Sequence, residues 1–410
     1  MGKHAFVLDT AAAGVIIGAS GAGIMETYKE AHMKISWKGR LLGACLVVGL
    51  AALGFVTLEP QTVGAQATPG ESQLLYPREQ FRFPDNGRVG PMDLGLTDPA
   101  LIGAIDIHAH IGPSSGWNNN IQRAIDIVDE GKFARLRGMR GFAIKEHHGT
   151  ESAGMAYVMR KLYPELEVYG RFAMNFAVGG VNMGAVYHFA NVQGGWGRIV
   201  EMPTTDAEYR ILGGPRGEGS DRNPESQETM EGSRPYMLWM PPGAPKYVSV
   251  SRNGELLPEV KFVIAQVAKM KTIQSFGKLS LSTGHSSGAE DVLVMREAAK
   301  YGLNVVSPHH TDMNEAQLKE YLNLGGYVGI HQDGFTAEAV RKVGAEHVIA
   351  SSDVGFRNAP FHTDVLAMMA KNARAGGLTE REINLAFKEN PAKFLNLPPD
   401  YVGPVRPSTD

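Results

Sequence analysis

The feature that most constrains the fold is an alternation, from Gly103 onward, of short apolar runs with longer amphipathic stretches. Buried runs that alternate with helical patterns are typical of βα units, whose strands pair in parallel. Eight strands are predicted, at residues 104–110, 141–147, 167–175, 198–202, 278–285, 304–307, 327–331 and 348–353. The pattern therefore predicts an α/β fold of the (β/α)8 TIM-barrel type over residues 103–397.

Helical patterns fill most of the intervals between these strands and the chain after the last one. They lie at 121–137, 152–162, 259–275, 289–301, 315–324, 336–343, 363–374, 379–388 and 391–395. The Gly- and Pro-rich segment 206–258 after the fourth strand is different, and its Asn253-Gly254 pair is a hairpin signal. A long loop on the C-terminal side of a barrel strand usually shapes or covers an active site. We interpret 206–258 as an insertion within the barrel.

The chain before the barrel carries the pattern of a signal peptide. From Met33, three cationic residues precede an apolar run at 41–56 and then the sequence Ala65-Gln66-Ala67. A charged region, a hydrophobic region and a small-residue site in this order predict cleavage after Ala67. A membrane anchor that stays attached is the alternative, but the run is shorter than the roughly 20 residues that a spanning helix needs.

These assignments divide the chain into five parts. Residues 1–32 are interpreted as an extension from a start assigned too far upstream, and 33–67 as the signal peptide. An N-terminal arm at 68–102, the barrel at 103–397 and a C-terminal tail at 398–410 follow. A signal peptide implies a periplasmic or secreted protein with no stable membrane insertion after cleavage.

The composition of the chain bears on its partners and on the kinds of cysteine chemistry open to it. The formal net charge of −3 gives no indication of a nucleic-acid partner. A single cysteine, Cys45, excludes a disulfide within the chain and a cysteine-based zinc site. The sequence leaves the oligomeric state open, and a homo-oligomer is one alternative.

The first predicted strand ends in two histidines one residue apart, His108 and His110. Successive side chains of a strand point to opposite faces, so these two project from the same face. Two neighbouring imidazoles at a strand end can form half of a metal site. A pair of buried, hydrogen-bonded core histidines is the alternative interpretation.

Further side chains that can bind metal fall at or near the ends of the other predicted strands. They are Lys145, His147, His148, Glu201, His285, His309, His310, His331 and Asp353. The carboxyl ends of barrel strands converge on one mouth, so we expect these side chains to gather there. Imidazole and carboxylate ligands favour a divalent transition metal such as Zn, Mn, Fe or Ni over Ca.

The order of these motifs resembles the amidohydrolase superfamily of metal-dependent barrel enzymes. The resemblance rests on His108-x-His110, on His285 in Ser-Thr-Gly-His, on His309 in Ser-Pro-His-His, on Asp353 in Ser-Ser-Asp, and on the closing Asn390-Pro391-Ala392. The motif Lys145-Glu146-His147-His148 looks like an uncharacterised branch of the superfamily. The resemblance spans the chain from about Gly103 to Leu397.

The resemblance implies one or two divalent metal ions, with zinc the expected metal. His108, His110, His285 and Asp353 would be ligands, and Asp353 would also be the general base for the attacking water. A helix N-cap is the alternative role for Asp353. His309 would be a ligand or a transition-state stabiliser, a role that His310 takes in the alternative.

The position that would bridge two metals is open between two residues. Glu201 lies on the fourth predicted strand, from which members of the superfamily commonly supply a bridging group. Lys145 is the rival, either carboxylated or as a cation that polarises a substrate oxygen, and a single-metal site is the third alternative. His147, on the same strand face as Lys145, would be a further ligand or a substrate contact.

The sequence thus predicts a secreted metal-dependent hydrolase that cleaves an amide, lactone or ester-like bond of a small molecule. A decarboxylase or other lyase of the same fold is one alternative, because Asp106 to His110 read Asp-x-His-x-His. A metal- or ligand-binding barrel without catalysis is another. Specificity is expected from the 206–258 insertion and from loop tryptophans such as Trp117, Trp196 and Trp239.

Overall fold

A computed structural model describes residues 93–114, 123–212, 241, 243–272, 277–309, 312–355 and 359–397. The interpretations of residues 1–92 and 398–410, including the signal peptide, lie outside the described residues. Among the helices that are described, none has the length and apolar character needed to cross a membrane.

Eight parallel strands form the centre of the structure. They are β1 (Ile105–Ala109), β2 (Gly141–Glu146), β3 (Glu167–Ala173), β4 (Gly197–Glu201), β7 (Ser280–Ser282), β8 (Val305–Ser307), β9 (Tyr327–His331) and β10 (Val348–Ser351), paired in this order. The remaining strands, β5 (Ser251–Arg252) and β6 (Glu255–Leu256), form a small antiparallel hairpin.

Hydrogen bonds between the first and last strands close this sheet into a barrel. The Asp353 N–H donates to the His108 carbonyl at 2.9 Å, and the His110 N–H donates to the Val354 carbonyl at 3.0 Å. Below them, the Asp106 carboxylate accepts hydrogen bonds from the backbone N–H and the hydroxyl of Ser352. The predicted (β/α)8 barrel is therefore confirmed.

Helices follow the strands around the outside of the barrel. They are α1 (Ile127–Leu136), α2 (Ser152–Leu162), α3 (Met183–Ala190), α4 (Glu208–Ile211), α5 (Pro258–Lys269), α6 (Gly288–Ala299), α7 (Glu315–Asn323), α8 (Ala337–Val343), α9 (His362–Ala375), α10 (Glu380–Asn384) and α11 (Asn390–Phe394). A π-helical turn at Leu385–Glu389 joins α10 to α11, and short 3-10 turns lie at Pro99–Leu101, Phe176–Val178, Gln332–Gly334 and Ala345–His347.

Two helix predictions need correction. The helix expected from residue 121 begins at Ile127, because the Asp126 carboxylate accepts the free N–H groups of Val128 and Asp129 and caps the first turn. Helix α3 was not predicted, since its eight residues follow a glycine-rich turn and show too few periodic positions. It nevertheless buries Val186 and Phe189.

The hairpin signal in the insertion is confirmed. Asn253 and Gly254 connect β5 to β6 with positive φ angles of 52° and 78°. Two consecutive residues with positive φ angles form the tight turn that matches the twist of the flanking strands. Residues 213–240 and 242 of the insertion lie outside the part of the chain that the structure describes.

The barrel interior is apolar at its amino end and polar at its carboxyl end. Ile107, Ala143, Tyr169 and Ile199 belong to one buried cluster that includes Phe394 of α11. The Asn390 side-chain amide donates to the Val348 carbonyl at 2.7 Å, which fixes α11 under the amino ends of the strands. Functional side chains are therefore confined to the opposite, carboxyl end.

An irregularity in β1 decides which of its side chains reach that end. Between Asp106 and Ala109, two residues of β1 stand against the single residue of β2 between Phe142 and Ile144. An extra residue of this kind re-aims the side chains that follow it. As a result Ile107 joins the inner apolar cluster, while His108 contacts Asp353 at the mouth.

Candidate metal centre

Two histidines and one aspartate meet at the mouth of the barrel. The Nε2 atoms of His108 and His110 each lie 3.0 Å from Oδ1 of Asp353. All three side chains are buried, and Asp353 is 8% exposed. Asp353 has a positive φ of 49°, a conformation that Asp adopts more readily than most residues and that turns its side chain back toward β1. The structure thus brings together three of the predicted ligands.

Other imidazoles extend this trio into a cluster. The ring centres of His110 and His147 lie 5.0 Å apart and nearly stacked, and those of His108 and His331 lie 5.1 Å apart. His309 lies 5.8 Å from His108, and His285 lies 4.7 Å from His309. His310, the rival of His309, is outside the described residues. The predicted gathering of strand-end histidines is observed in the residues that are described.

Burial keeps the imidazoles of His108, His110, His147 and His309 neutral. It lowers the pKa of His110 and of His309 to about 3, against weaker opposing effects of the Asp353 carboxylate. Burial also holds the pKa of His108 and of His147 well below the ordinary histidine value. A neutral imidazole has a free lone pair, which is the form that binds metal ions.

Asp353 carries the negative charge of the cluster. Burial alone would raise its pKa, but the imidazoles of His108 and His331 and the hydrogen bonds from the histidines hold that pKa well below the ordinary value. Asp353 is therefore ionised at neutral pH. Neutral imidazoles around one carboxylate are a donor set that suits a divalent transition metal.

The geometry of the donor atoms fits one ion. His108, His331 and Asp353 each offer a ligand atom, and these atoms lie within 4.8 Å of one another. The Nδ1 atom of His108 is buried and has no hydrogen-bond partner among the described residues. Such an orphaned ring nitrogen beside an ionised carboxylate is expected where a ligand or metal completes the site.

His331 is held more firmly than the other histidines. Its Nε2 lies 2.6 Å from the Pro308 carbonyl, and its Nδ1 lies 3.1 Å from the Ser351 hydroxyl. A neutral imidazole can donate from one nitrogen to Pro308 and accept from Ser351 with the other. Both ring nitrogens are thus engaged, so His331 would have to give up one of these contacts to join His108 and Asp353 as a ligand, and we assign His110 as the third ligand instead. The sequence placed His331 at a strand end but gave it no role.

The two candidate bridging residues pair with each other. Lys145 and Glu201 form an ion pair inside the barrel, and the Arg171 guanidinium forms a second ion pair with the same carboxylate. Ser282 adds a hydrogen bond to Glu201 at 3.0 Å. Burial and the neighbouring Arg171 lower the pKa of Lys145 well below its ordinary value. Glu201 is fully buried and already shared by two cations, which leaves it poorly placed to bridge metal ions.

A polar network supports His147. Its Nδ1 lies 2.9 Å from the Thr204 hydroxyl, which accepts a hydrogen bond from the Asn175 amide. The same amide donates to the His147 carbonyl at 2.8 Å, while its oxygen accepts the Thr204 N–H. Asn175 therefore joins the ends of β2, β3 and β4 and orients the ring that stacks on His110. Arg171 and Asn175 had no predicted role, because a polar residue within a strand gives no signal of its partners.

The tryptophan prediction was wrong for Trp196. It precedes β4, at the amino end of the barrel, where the Arg160 guanidinium stacks 3.6 Å from its ring centre. Trp117 and Trp239 lie outside the described residues. A cavity of about 680 Å³ does lie on the carboxyl side, between the turn after β3 and the insertion. Phe176, Tyr247, Lys246 and Arg252 contribute to its lining.

The fold and the cluster define a (β/α)8 barrel with a candidate metal centre at its mouth. Residues 103–329 match a family described as a family of unknown function, DUF6282, and the chain belongs to that family. A search of curated proteins found none that matches this chain.

Solved structures with similarity to the chain include several amidohydrolases. An amidohydrolase from Pseudomonas aeruginosa is 12% identical, with a TM-score of 0.44 over 72% of this chain and 97% of that one. A putative 2-pyrone-4,6-dicarboxylic acid hydrolase from Pseudomonas putida is 13% identical, with a TM-score of 0.41 over 72% and 98%. A zinc-bound amidohydrolase from Burkholderia multivorans is 10% identical, with a TM-score of 0.38 over 72% and 99%.

Two of these structures carry the name of the superfamily that the motifs resemble.

Proposed function

We propose that the chain is a metal-dependent hydrolase that cleaves an amide, lactone or ester-like bond of a small molecule. The observation that carries the proposal is the convergence of His108 and His110 on one oxygen of the ionised Asp353. Neutral imidazoles and a carboxylate, buried at the mouth of a barrel, supply the ligands that zinc prefers.

His108, His110 and Asp353 would hold the ion, and His285 and His309 lie next to this group. When bound, a divalent ion lowers the pKa of a coordinated water toward 7 and polarises the bond to be cleaved. Zinc is our first choice, and Mn, Fe and Ni fit the same donor set.

Asp353 would act as the general base. Its Oδ1 contacts the two imidazoles, so we assign proton transfer to the other carboxylate oxygen, Oδ2. Its low pKa keeps the carboxylate able to take a proton from the attacking water at neutral pH. The neutral His309 ring would donate a hydrogen bond from one ring N–H to the developing oxyanion.

We propose a single ion in place of a bridged pair. Glu201 is engaged by Lys145, Arg171 and Ser282 below the cluster, so its charge is already compensated. The lyase alternative gains no support from Asp106, because that carboxylate hydrogen-bonds to Ser352 and the backbone N–H of His108 instead of facing the mouth.

We also propose that the mature protein is periplasmic or secreted, after removal of residues 33–67. An N-terminus upstream of Met33 on exported protein would contradict this.

The proposal is tested with a panel of amides, lactones and esters and the zinc-loaded chain. We expect turnover of at least one class, loss of that turnover with a chelator, and recovery on adding zinc. Asp353→Asn should reduce the rate by about 100-fold or more, because the general base is lost. His188→Ala, which removes an exposed histidine of α3, is the matched control. No turnover by the loaded protein on any class would favour a binding protein, and turnover that resists chelation would refute the mechanism.

A further inference from the structure

The cavity of about 680 Å³ on the carboxyl side of the barrel, which we name the insertion cavity, has two walls. The turn after β3 forms one wall, to which Phe176 and Val181 contribute. The insertion forms the other, with Tyr247, Val248 and Arg252. None of the candidate metal ligands belongs to the lining as far as the structure describes it. The insertion cavity is therefore a separate place at which a ligand could bind.

Asp206 holds the two walls of the insertion cavity together. Its Oδ2 accepts the Phe176 N–H at 2.8 Å, and its carbonyl oxygen accepts the Val248 N–H at 2.7 Å. Asp206 is fully buried, and its own N–H donates to the side-chain oxygen of Asn175 at 3.2 Å. Because both walls are bonded to one buried residue, the insertion cavity is formed without a ligand, as binding sites for small molecules usually are.

The β5–β6 hairpin that carries Arg252 is fixed as well. The Ser251 hydroxyl donates to Oε1 of Glu290, a residue of the capping box at the start of α6, at 2.8 Å. The Leu257 N–H donates to the Val250 carbonyl at 3.0 Å. Arg252 itself is exposed, and its guanidinium forms no hydrogen bond or ion pair with the residues that the structure describes. Its donors are therefore accessible to a ligand.

The lining of the insertion cavity combines aromatic rings with positive charge. Phe176 and Tyr247 are only half-buried, so their rings remain accessible. Lys246 and Arg252 contribute two cationic side chains, and Glu259 contributes one carboxylate among the described lining residues. Aromatic side chains pack against other planar rings, and a guanidinium matches a carboxylate with its planar fork of N–H donors. This combination favours an aromatic anion.

We propose that the insertion cavity binds a small aromatic carboxylate. The ring of the ligand lies against Phe176 and Tyr247, and its carboxylate lies at Arg252. The volume of about 680 Å³ is within the range of about 300–1,000 Å³ that is typical of small-molecule sites. The proposal goes beyond the proposed hydrolase function and does not depend on it, because binding at these residues requires neither a metal ion nor the cleavage of a bond.

A gap filled only by solvent is the competing explanation for the insertion cavity. Such a gap would bind neither an aromatic anion nor its neutral analogue with measurable affinity. It would also give Arg252 no part in distinguishing a charged ligand from a neutral one.

The test measures binding of cinnamate and of cinnamyl alcohol, its neutral analogue, to the zinc-loaded chain by calorimetry. We expect cinnamate to bind more tightly, and Arg252→Gln to reduce that preference by about fivefold. Tyr247→Leu should weaken binding of both probes by about fivefold, because it keeps apolar bulk but removes the ring. Arg296→Gln, at an exposed arginine of α6 outside the described lining, is the matched control and should leave both affinities unchanged.

The double variant His108→Ala/His110→Ala separates the insertion cavity from the metal centre, since a carboxylate can also bind zinc directly. Cinnamate should bind this variant as it binds the wild type. Loss of cinnamate binding in the double variant would place the probe on the metal and overturn the proposal.

The melting temperature of every variant is measured beside its affinities, and Arg252→Gln should melt with the wild type because Arg252 is exposed. Absence of cinnamate binding to the wild type, equal affinities for the two probes, or a preference that Arg252→Gln leaves unchanged would each overturn the proposal. A wild-type chain that binds cinnamate but no zinc would instead overturn only the proposed hydrolase function.

Discussion

His110 and Asp353 lie 243 residues apart in the chain, yet their Nε2 and Oδ1 atoms are 3.0 Å apart at the mouth of the barrel. The same two regions are joined by the backbone hydrogen bond from His110 to Val354. The contacts that close the barrel therefore also assemble the candidate metal centre. Changes that loosen the contact between β1 and the end of β10 should weaken both.

Gly355 provides a direct test of this link. Its φ is 122°, and an added Cβ would collide with the His110 carbonyl oxygen. Gly355→Ala should therefore destabilise the fold by about 2–4 kcal/mol through strain and displacement of β1. Chemical denaturation measures the loss.

The matched control is Gly302→Ala, which also has a positive φ, 62°, but has open space where the Cβ would lie. Strain alone should cost about 1 kcal/mol there. Equal losses for the two variants would show that Gly355 is sensitive only to its backbone angle and not to contact with His110.

The ion pairs of Glu201 should be essential for stability and dispensable for metal binding. Glu201→Gln leaves Lys145 and Arg171 buried without their shared counter-charge. Removal of one partner from a buried ion pair typically costs about 3–5 kcal/mol. Urea denaturation should show this loss, while the folded variant should still bind its zinc. Loss of zinc from a folded Glu201→Gln would restore the bridging role for this residue.

A second buried pair lies behind the loop that carries Asp353. His362 contacts Glu130 through Nδ1 at 3.0 Å and the Val354 carbonyl through Nε2 at 2.8 Å. Burial opposes the charged form, but Glu130 raises the pKa of His362 above its ordinary value. Glu130→Gln should lower that pKa, which NMR titration of the ring can follow. An unchanged His362 pKa in this variant would contradict the pairing.

The raised pKa of the Asp291 carboxyl predicts that the stability of the fold depends on pH. Burial raises the pKa of this carboxyl to about 8, although the Ser307 hydroxyl donates to it at 2.6 Å. The folded state thus keeps a proton between about pH 4 and pH 8 that the unfolded state loses near pH 4. The contribution of Asp291 is full below about pH 4 and declines as the pH rises through 8.

The variant Asp291→Asn isolates this effect. Relative to wild type, its free energy of unfolding should improve as the pH rises from 5 to 8, at up to about 1.4 kcal/mol per pH unit. Denaturation curves at several pH values give the difference directly. A difference that stays constant over this range would show that Asp291 ionises normally in the folded protein.

The barrel could be predicted from the sequence because its strands are near-continuous apolar runs with punctuated ends. The same regularity located His108, His110 and Asp353, since the carboxyl ends of parallel strands must share one mouth. The local sequence pattern was sufficient to predict the role of a residue where that role depends on its place along a strand.

Pairings between distant residues could not be predicted in this way. The pairing of both Lys145 and Arg171 with Glu201 depends on three strands meeting inside the barrel. The extra residue in β1 leaves no mark in the apolar alternation, yet it re-aims His108. His362 lies outside the set of strand-end histidines, and only the fold shows that it is buried against Glu130.

The metal content of the purified chain tests the central claim most directly. After reconstitution with zinc and removal of excess metal, elemental mass spectrometry should find about one zinc per wild-type chain. The double variant His108→Ala/His110→Ala should lose it, while His188→Ala should retain it. A wild-type chain without metal, or a double variant with the same metal content as wild type, would contradict the proposed centre.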